Sequence, residues 1–345
     1  MLTPRKIEIF KAIVQEFINT AEPVGSKTLI DKFNLPYSSA TIRNEMSDLE
    51  KIGLLEKTHT SSGRVPSTKG YQFYVEHLME DESNQAVELA IAQIFSDRRL
   101  GIEEAIRQSG DIISQMTKLT TVVLGPSAMD EKLRSVQLIP LNELSAMAVF
   151  VTESGHAEHR IFNFESEVTV EDIESCTSIL NERLKGTVLS EIVDKMEGLR
   201  PILSARLVQY EALFEAFVNA FVKFAQDEVY LSGEKNMLYQ PEFENIGKLR
   251  QLMDMLENSQ LWREISEGHK HTRLQSSEHS EMIWLDDMAV VSSKLTTIDD
   301  EEHQLMVVGP SRMEYGRVVS LMNYVSEMVE EVYGKGGQDE RQEDK

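Results

Sequence analysis

Polar and basic side chains recur along one side of a helix predicted between Ser39 and Ile52. On a helical wheel, Ile42, Met46 and Leu49 cluster in one sector and predict the face turned toward a protein core. The opposite side carries arginine, asparagine, lysine and hydroxyl groups, which pair with base edges or phosphates of DNA. The candidate contacts on this helix are Ser39, Thr41, Arg43, Asn44, Ser47 and Lys51.

A second group of such side chains follows in a hairpin pattern. Residues 54–58 predict a strand, the small polar residues 59–63 predict a turn, and residues 64–65 predict the returning strand. An arginine on such a hairpin can reach the minor groove or the DNA backbone, and neighbouring lysines can contact phosphates. The candidate contacts on and beside this hairpin are Lys57, His59, Ser62, Arg64 and Lys69.

The residues before the first group predict the elements that hold it in place. Thr3 and Pro4 predict the start of a helix that continues to about Thr20, and Ser26 predicts the cap of a short second helix. Helix, turn, helix and hairpin in this order are typical of a winged helix-turn-helix that reads DNA. Two other interpretations remain: a solvated surface helix, and a winged helix that contacts only proteins.

The net charge of the chain is −23, which by itself disfavours binding to nucleic acid. Residues 1–79 carry ten lysines and arginines and nine acidic residues, a charge of +1, whereas the remainder carries 25 and 49, a charge of −24. Because local basic patches drive DNA binding, the acidic remainder does not exclude it. We hypothesise that the acidic remainder repels DNA and favours one docking orientation.

Composition and motifs exclude several other classes of protein. No apolar stretch approaches the length of a membrane span, and the N-terminus lacks the pattern of a signal peptide. Cys176 is the only cysteine, so we expect a cytoplasmic protein without a disulfide. Phosphate-binding glycine loops and nucleophile motifs are absent, so we expect no enzyme and no cofactor. We interpret His156, His159, His269 and His271 as surface residues, not metal ligands.

The rest of the chain alternates between helical and strand patterns. Strand patterns occupy parts of 120–165 and 272–310, and a helical stretch between them is unusually aromatic near 205–227. The similarity of residues 123–129 to 307–313 favours one sheet that a helical insertion interrupts, although coincidence explains it equally well. The aromatic helix is interpreted either as a dimer surface or as ordinary internal core.

Residues 3–79 resemble the head of the HrcA family of bacterial heat-inducible transcription repressors. The resemblance lies in residues 22–26, 38–46, 49–55, 58–67, 70–71 and 74–75, and it continues in 229–233, 240–243 and 308–318. It covers nearly the whole chain to about residue 333. It is weakest at 81–120, 145–225 and 268–288.

The resemblance implies an α+β multidomain fold. It implies a winged helix-turn-helix, a GAF-like α/β domain and a helical dimerisation domain inserted into the GAF-like domain. The expected boundaries are 1–79 for the winged helix, 80–119 for a helical linker, 120–165 and 235–333 for the GAF-like domain, 166–234 for the inserted dimerising domain, and 334–345 for a disordered tail.

The resemblance also implies a function. The expected protein is a homodimer that binds an inverted-repeat operator in double-stranded DNA and represses chaperone operons until heat stress releases it. The GroE chaperonin is an expected partner. Two other functions stay open: a metabolite sensor or enzyme housed in the GAF-like domain, and a scaffold or chaperone client.

Overall fold

The computed structural model describes residues 2–58, 63–80, 82, 84–97, 99–126, 131–153, 155, 157–164, 167–207, 210–224, 229–267, 273–277, 279–285, 287–297 and 302–334. These residues form two compact units, one of Met1–Gly125 with Val229–Lys345 and one of Pro126–Glu228. We call residues 1–79 the head, the rest of the first unit the sheet domain, and the second unit the inserted unit.

Helices and strands are numbered separately along the chain. The α-helices of the described residues are α1 (Pro4–Thr20), α2 (Ser26–Phe33), α3 (Ser39–Lys51), α4 (Thr68–His77), α5 (Gln85–Ser96), α6 (Ile102–Thr117), α7 (Val170–Leu184), α8 (Ile192–Arg206), α9 (Tyr210–Phe224), α10 (Glu234–Met237), α11 (Ile246–Leu256), α12 (Ser259–Glu267) and α13 (Tyr315–Tyr333). The strands are β1 (Leu55–Lys57), β2 (Arg64–Pro66), β3 (Thr120–Leu124), β4 (Leu133–Asn142), β5 (Ser145–Thr152), β6 (Ala157–Asn163), β7 (Val229–Ser232), β8 (Arg273–Gln275), β9 (Ser280–Leu285), β10 (Met288–Thr296) and β11 (Glu302–Pro310).

The head consists of three helices, a hairpin and a fourth helix. The hydroxyl of Thr3 accepts the backbone N–H of Lys6 at 3.4 Å, so Thr3 caps α1 as predicted. The predicted cap of α2 is wrong, because Gly25 occupies that position and Ser26 is already the first helical residue. Apolar side chains from all these elements meet in the head core: Ile9, Phe10, Ile13, Val14, Leu29, Ile42, Met46, Leu49, Leu54, Leu55, Tyr71 and Val75.

The hairpin is tied to the loop between α1 and α2. Strands β1 and β2 pair antiparallel, and Val24 exchanges two backbone hydrogen bonds with Arg64, at 2.9 and 3.0 Å. Gly63 lies so close to this loop that a Cβ atom on it would approach the backbone of Pro23 to 2.8 Å. Only glycine fits there without displacing the loop. The hairpin base is therefore fixed to the helices.

A six-stranded sheet forms the centre of the sheet domain. Its strand order is β7-β3-β11-β10-β9-β8, and every neighbouring pair is antiparallel. Val291 and Val307 face one layer, which includes α5, α6 and α13. Val290 and Val308 belong to the core on the other side, which contains the fully buried Trp262 of α12.

Helices α5 and α6 are part of this packing. The sequence predicts a helical linker at residues 80–119, but both helices contact each other and α13. Ile91, Ile106 and Ile113 are completely buried. Because their apolar stripes pack against α13 and, through α6, against the six-stranded sheet, these helices are part of the sheet domain and do not act as a spacer.

The grouping of strands differs from the sequence-based expectation. Residues 120–165 were expected to share a domain with 235–333, but of that stretch only β3 joins the six-stranded sheet. Strands β4, β5 and β6 form a separate antiparallel sheet within the inserted unit, and β7 pairs with β3 before residue 235. Strand patterns in a sequence identify strands but not their partners, which depend on the faces that become covered.

The inserted unit packs one face of its sheet against its helices. Phe150 of β5 lies in a buried aromatic cluster, with its ring centroid 5.5 Å from Phe217 and 5.8 Å from Phe221 of α9. Phe214 is also buried, at 2% exposure. Within one chain these aromatic residues of α9 are internal core, the second of the two interpretations of this helix.

Candidate nucleic-acid interface

Helix α3 exposes the side that the helical wheel assigned to solvent. Ile42 and Leu49 are completely buried and Met46 is 4% exposed, so this apolar side faces the head core as predicted. The opposite side presents its longest polar groups to solvent. Its exposed residues are Ala40, Arg43, Asn44 and Lys51, and its partly exposed residues are Ser39, Thr41 and Ser47.

The first turn of α3 is held by hydroxyl groups. Ser38 caps the helix, because its Oγ accepts the backbone N–H of Thr41 at 3.1 Å. The two hydroxyls of Ser38 and Thr41 also lie 2.9 Å apart. These bonds satisfy part of the unpaired N–H groups that every helix N-terminus leaves. The helix therefore begins at a defined residue and presents its next turn in a fixed orientation.

Arg43 is connected to the beginning of α2. Its Nε donates to the hydroxyl oxygen of Ser26 at 3.2 Å, and this hydroxyl lies 2.9 Å from that of Ser39. Ser26 is buried, whereas Arg43 is exposed. The buried hydroxyl therefore restrains one side of an exposed guanidinium group. Sequence reasoning missed this role of Ser26, because it assigned the residue to helix capping.

Two acidic residues of α3, Glu45 and Asp48, are paired with cations from α1. Glu45 accepts a hydrogen bond from Arg5 Nε at 2.6 Å, and Lys6 lies 3.6 Å from its other oxygen. Hydrogen bonds from Lys51 and Lys6, at 3.0 and 3.1 Å, hold the pKa of the Asp48 carboxyl below its ordinary value. These two carboxylates are thus neutralised, and Asp48 also engages Lys51, one of the cations on the exposed side of α3.

Arg64 connects the hairpin to α3. Its Nε donates to Glu50 Oε2 at 2.8 Å, and its side chain also donates to the Gly63 carbonyl at 3.2 Å. Lys57 is exposed on β1. Lys69 donates to the Ile52 carbonyl oxygen at 3.0 Å. The candidates His59 and Ser62 lie outside the described residues.

A concavity of about 490 Å³ lies where α2, α3 and the hairpin meet. Three cations line it, Lys27, Arg43 and Arg64, together with Ser26 and two further residues. Sequence reasoning did not select Lys27. A cation in the first turn of a helix opposes the helix dipole, and this unusual placement was the available signal.

Other kinds of site find less support in the described residues. No group of three or more His, Cys, Asp or Glu side chains comes together there as potential metal ligands. Burial raises the pKa of the Cys176 thiol to about 12, which is opposite to what a nucleophile needs. None of the helices in the described ranges is both long and apolar enough to cross a membrane.

Comparison with known proteins identifies the family. A sequence model of the HrcA protein C-terminal domain matches residues 103–319. The Heat-inducible transcription repressor HrcA of Bacillus pumilus (strain SAFR-032) is 36% identical over 333 residues, which cover 94% of this chain and 96% of that protein.

A solved structure supports the fold. The crystal structure of a hypothetical protein at 2.2 Å resolution is 22% identical, covers 97% of this chain and 99% of its own, and superposes with a TM-score of 0.59. The family model and the Bacillus pumilus relative define a transcription repressor and not an enzyme. The chain belongs to the HrcA family.

Proposed function

We propose that this chain represses heat-shock (chaperone) operons in the cytoplasm by binding an inverted-repeat operator as a homodimer, and that heat stress releases it. The head would act as a winged helix-turn-helix with α3 as its recognition helix. The observation that carries the proposal is the exposed side of α3, where Arg43, Asn44 and Ser47 lie beside a hairpin held by Arg64. The family membership supports the same function.

The recognition helix would enter the major groove through its first turns. Arg43 is suited to pair with O6 and N7 of guanine, and Asn44 with N6 and N7 of adenine. Ala40 on the same side is small enough for the helix to approach the base pairs closely. Ser39, Thr41 and Ser47 would add shorter contacts to bases or phosphates.

The phosphate backbone would be held by cations around this helix. Lys51, Lys57 and Lys69 are exposed on α3, β1 and α4, and Lys27 extends the set from α2. Arg64 and the hairpin residues His59 and Ser62 would reach the adjacent backbone or minor groove. Such contacts fix orientation and strengthen binding, but they carry little sequence information.

A homodimer fits an inverted repeat because each head reads one half-site, and two linked heads bind with avidity. The outer face of the β4–β6 sheet is suited to form the dimer. Ile139, Met147 and Ile161 lie opposite one another across its three strands, and Ile161 is 64% exposed. Two neighbouring rows lie on the same face, one of Gln137, Val149 and His159 and one of Ser135, Val151 and Ala157. Neither row contains Asp, Glu, Lys or Arg.

The family resemblance completes the proposal in two respects. It assigns the sheet domain to the GAF-like fold, with the inserted unit as the dimerising domain. It also implies the GroE chaperonin as a partner that maintains activity, so that heat relieves repression when unfolded proteins occupy the chaperonin.

Footprinting on inverted-repeat DNA, with and without GroE, tests this function. We expect protection of both half-sites and weaker protection without the chaperonin. Arg43→Ala should cost roughly 1–3 kcal/mol of operator binding and relax the preference for one base pair. If the wild-type chain protects no inverted repeat, or if Arg43→Ala binds with unchanged affinity and preference, the proposed docking is wrong.

A further inference from the structure

Two segments that resemble HrcA signatures, residues 240–243 and 308–318, meet in the structure through Arg312. Arg312 lies between β11 and α13, and its Nε donates to Glu242 Oε1 at 2.6 Å. Its Nη2 donates to Glu242 Oε2 at 3.3 Å and to Gln240 Oε1 at 2.8 Å. Glu242 and Gln240 thus fix the orientation of the guanidinium group, and only 14% of the Arg312 side chain is exposed.

The remaining amino group of Arg312 reaches the head. Its Nη1 donates to the backbone carbonyl oxygen of Ile18 at 3.2 Å. Ile18 belongs to the last turn of α1, where carbonyl groups lack partners within the helix. The N–H of Glu22, which would continue the helical pattern, donates instead to the Thr20 hydroxyl at 3.2 Å. A cation is favoured at this end of a helix, because the helix dipole is negative there.

A second group of contacts joins the head to α13 near the connecting chain. The ring of Tyr71 in α4 lies 5.8 Å from that of Tyr315. Gly316 lies so close to the residue that follows the head that a Cβ atom on it would approach the Glu80 carbonyl oxygen to 2.1 Å. These contacts hold α4 and the segment that follows the head. The Arg312 hydrogen bond holds a second element of the head, the last turn of α1, so the sheet domain contacts the head through both helices and a pivot of the head would break the α1 contact.

We propose that Arg312 is a positioning residue that fixes the orientation of the head on the sheet domain, and thereby sets the half-site separation that the dimer accepts. The inference rests on the proposed binding of a homodimer to an inverted repeat. Arginine suits this role because its planar fork engages a carboxylate bidentately while a further N–H points elsewhere. Lysine has no such fork.

The geometry of DNA makes the orientation measurable. A half-site that moves by about 5 base pairs turns to the opposite side of the duplex, because one turn spans about 10–10.5 base pairs. Two heads held rigidly cannot both follow this rotation, so the avidity of the second head is lost. Heads that pivot can follow the rotation of the half-site, so their binding depends less on the half-site separation.

The test measures affinity for inverted repeats whose half-site separation varies in single base pairs over one turn. We expect wild-type affinity to fall at least about 10-fold at a half-turn displacement. Arg312→Ala should flatten this fall to less than about 3-fold while binding to a single half-site stays unchanged. Glu242→Gln should flatten it in the same way, and Arg312→Lys should have an intermediate effect. Lys248→Ala removes an exposed ion pair with Asp287 that does not reach the head, and serves as the matched control.

Each outcome bears on the proposal. A separation profile as sharp in Arg312→Ala and Glu242→Gln as in the wild type would overturn it. Loss of single half-site binding in both variants would overturn it too, because Arg312 would then act on the fold of the head. A wild-type chain that binds no inverted repeat would instead contradict the proposed function, which separates the two failures.

Discussion

Arg43 donates a hydrogen bond from Nε to the hydroxyl oxygen of Ser26 at 3.2 Å. The bond joins the exposed side of α3 to the first residue of α2, which is buried. It uses the nitrogen of the guanidinium nearest the side-chain stem, and the two terminal nitrogens are the ones that pair with guanine. Ser26 therefore restrains the Arg43 guanidinium, and its terminal nitrogens stay available for the base contact that we propose.

We expect Ser26→Ala to weaken operator binding by about 3- to 10-fold, the effect of one hydrogen bond. The preference for the base pair that Arg43 reads should weaken as well, because the guanidinium loses its restraint. Affinity for DNA without an operator should stay unchanged. Competition titrations measure both quantities, and Thr28→Ala, which removes another hydroxyl from the same turn, is the control. Equal loss on both DNAs would show that Ser26 acts on stability alone.

Lys57 should behave as a phosphate contact. It is exposed on β1, away from the polar side of α3 that we propose to read bases. Lys57→Ala should weaken operator and non-operator binding to the same extent, and should lower the slope of log affinity against log salt by about one. The control is Arg99→Ala, which removes an exposed cation far along the chain from the head. An unchanged salt slope would remove Lys57 from the interface.

The inserted unit offers two apolar surfaces that a dimer could use, and one pair of variants separates them. Ile161 is 64% exposed on the outer sheet face, and Val222 is 44% exposed on α9. Because a buried unpaired charge is costly, Ile161→Glu should convert the dimer to monomer, whereas Val222→Glu should not. Sedimentation velocity measures the two species. The reverse result would place the dimer surface on α9.

Local features of the head could be predicted from the sequence, and distant contacts could not. The inward and outward sides of α3 follow from helical periodicity, so Ile42, Met46 and Leu49 were placed correctly. The hydrogen bond from Arg312 to Ile18 joins residues 294 positions apart, and no periodicity encodes such a pair. The role of the Ser26 hydroxyl was predicted wrongly for a related reason. Gly25 caps α2, and the Ser26 hydroxyl forms its hydrogen bonds across to α3.

The pairing of strands into sheets was the other feature that could not be predicted from the sequence. Strands β4–β6 have the composition of any half-buried strand, and composition does not distinguish a new sheet from an extension of an existing one. The deciding contacts are those of Phe150 with Phe217 and Phe221, which cover this sheet with α9. These contacts also explain why the aromatic side of α9 is internal.

Cys176 provides a probe for the opening of the inserted unit, because it is the only thiol in the chain and is 1% exposed. Burial, with a smaller contribution from the charge of Asp172, raises its pKa from the ordinary value of 9.0 to about 12. At pH 8 only about one thiol in 10⁴ is then ionised, and the thiolate is the reactive form. We therefore expect the native protein to resist alkylation at 25 °C and the unfolded protein to react rapidly.

The same pKa shift predicts how stability depends on pH. The thiol is protonated in the folded state and ionises near pH 9 when unfolded, so its contribution is complete below pH 9 and is lost as pH rises toward 12. If the inserted unit forms the proposed dimer, the alkylation rate at pH 8 should rise on warming over the temperatures at which that dimer dissociates and operator binding is lost. Cys176→Ala, followed by sedimentation and operator binding, controls for effects of the label. Rapid alkylation of the native dimer at 25 °C would contradict the burial on which this prediction depends.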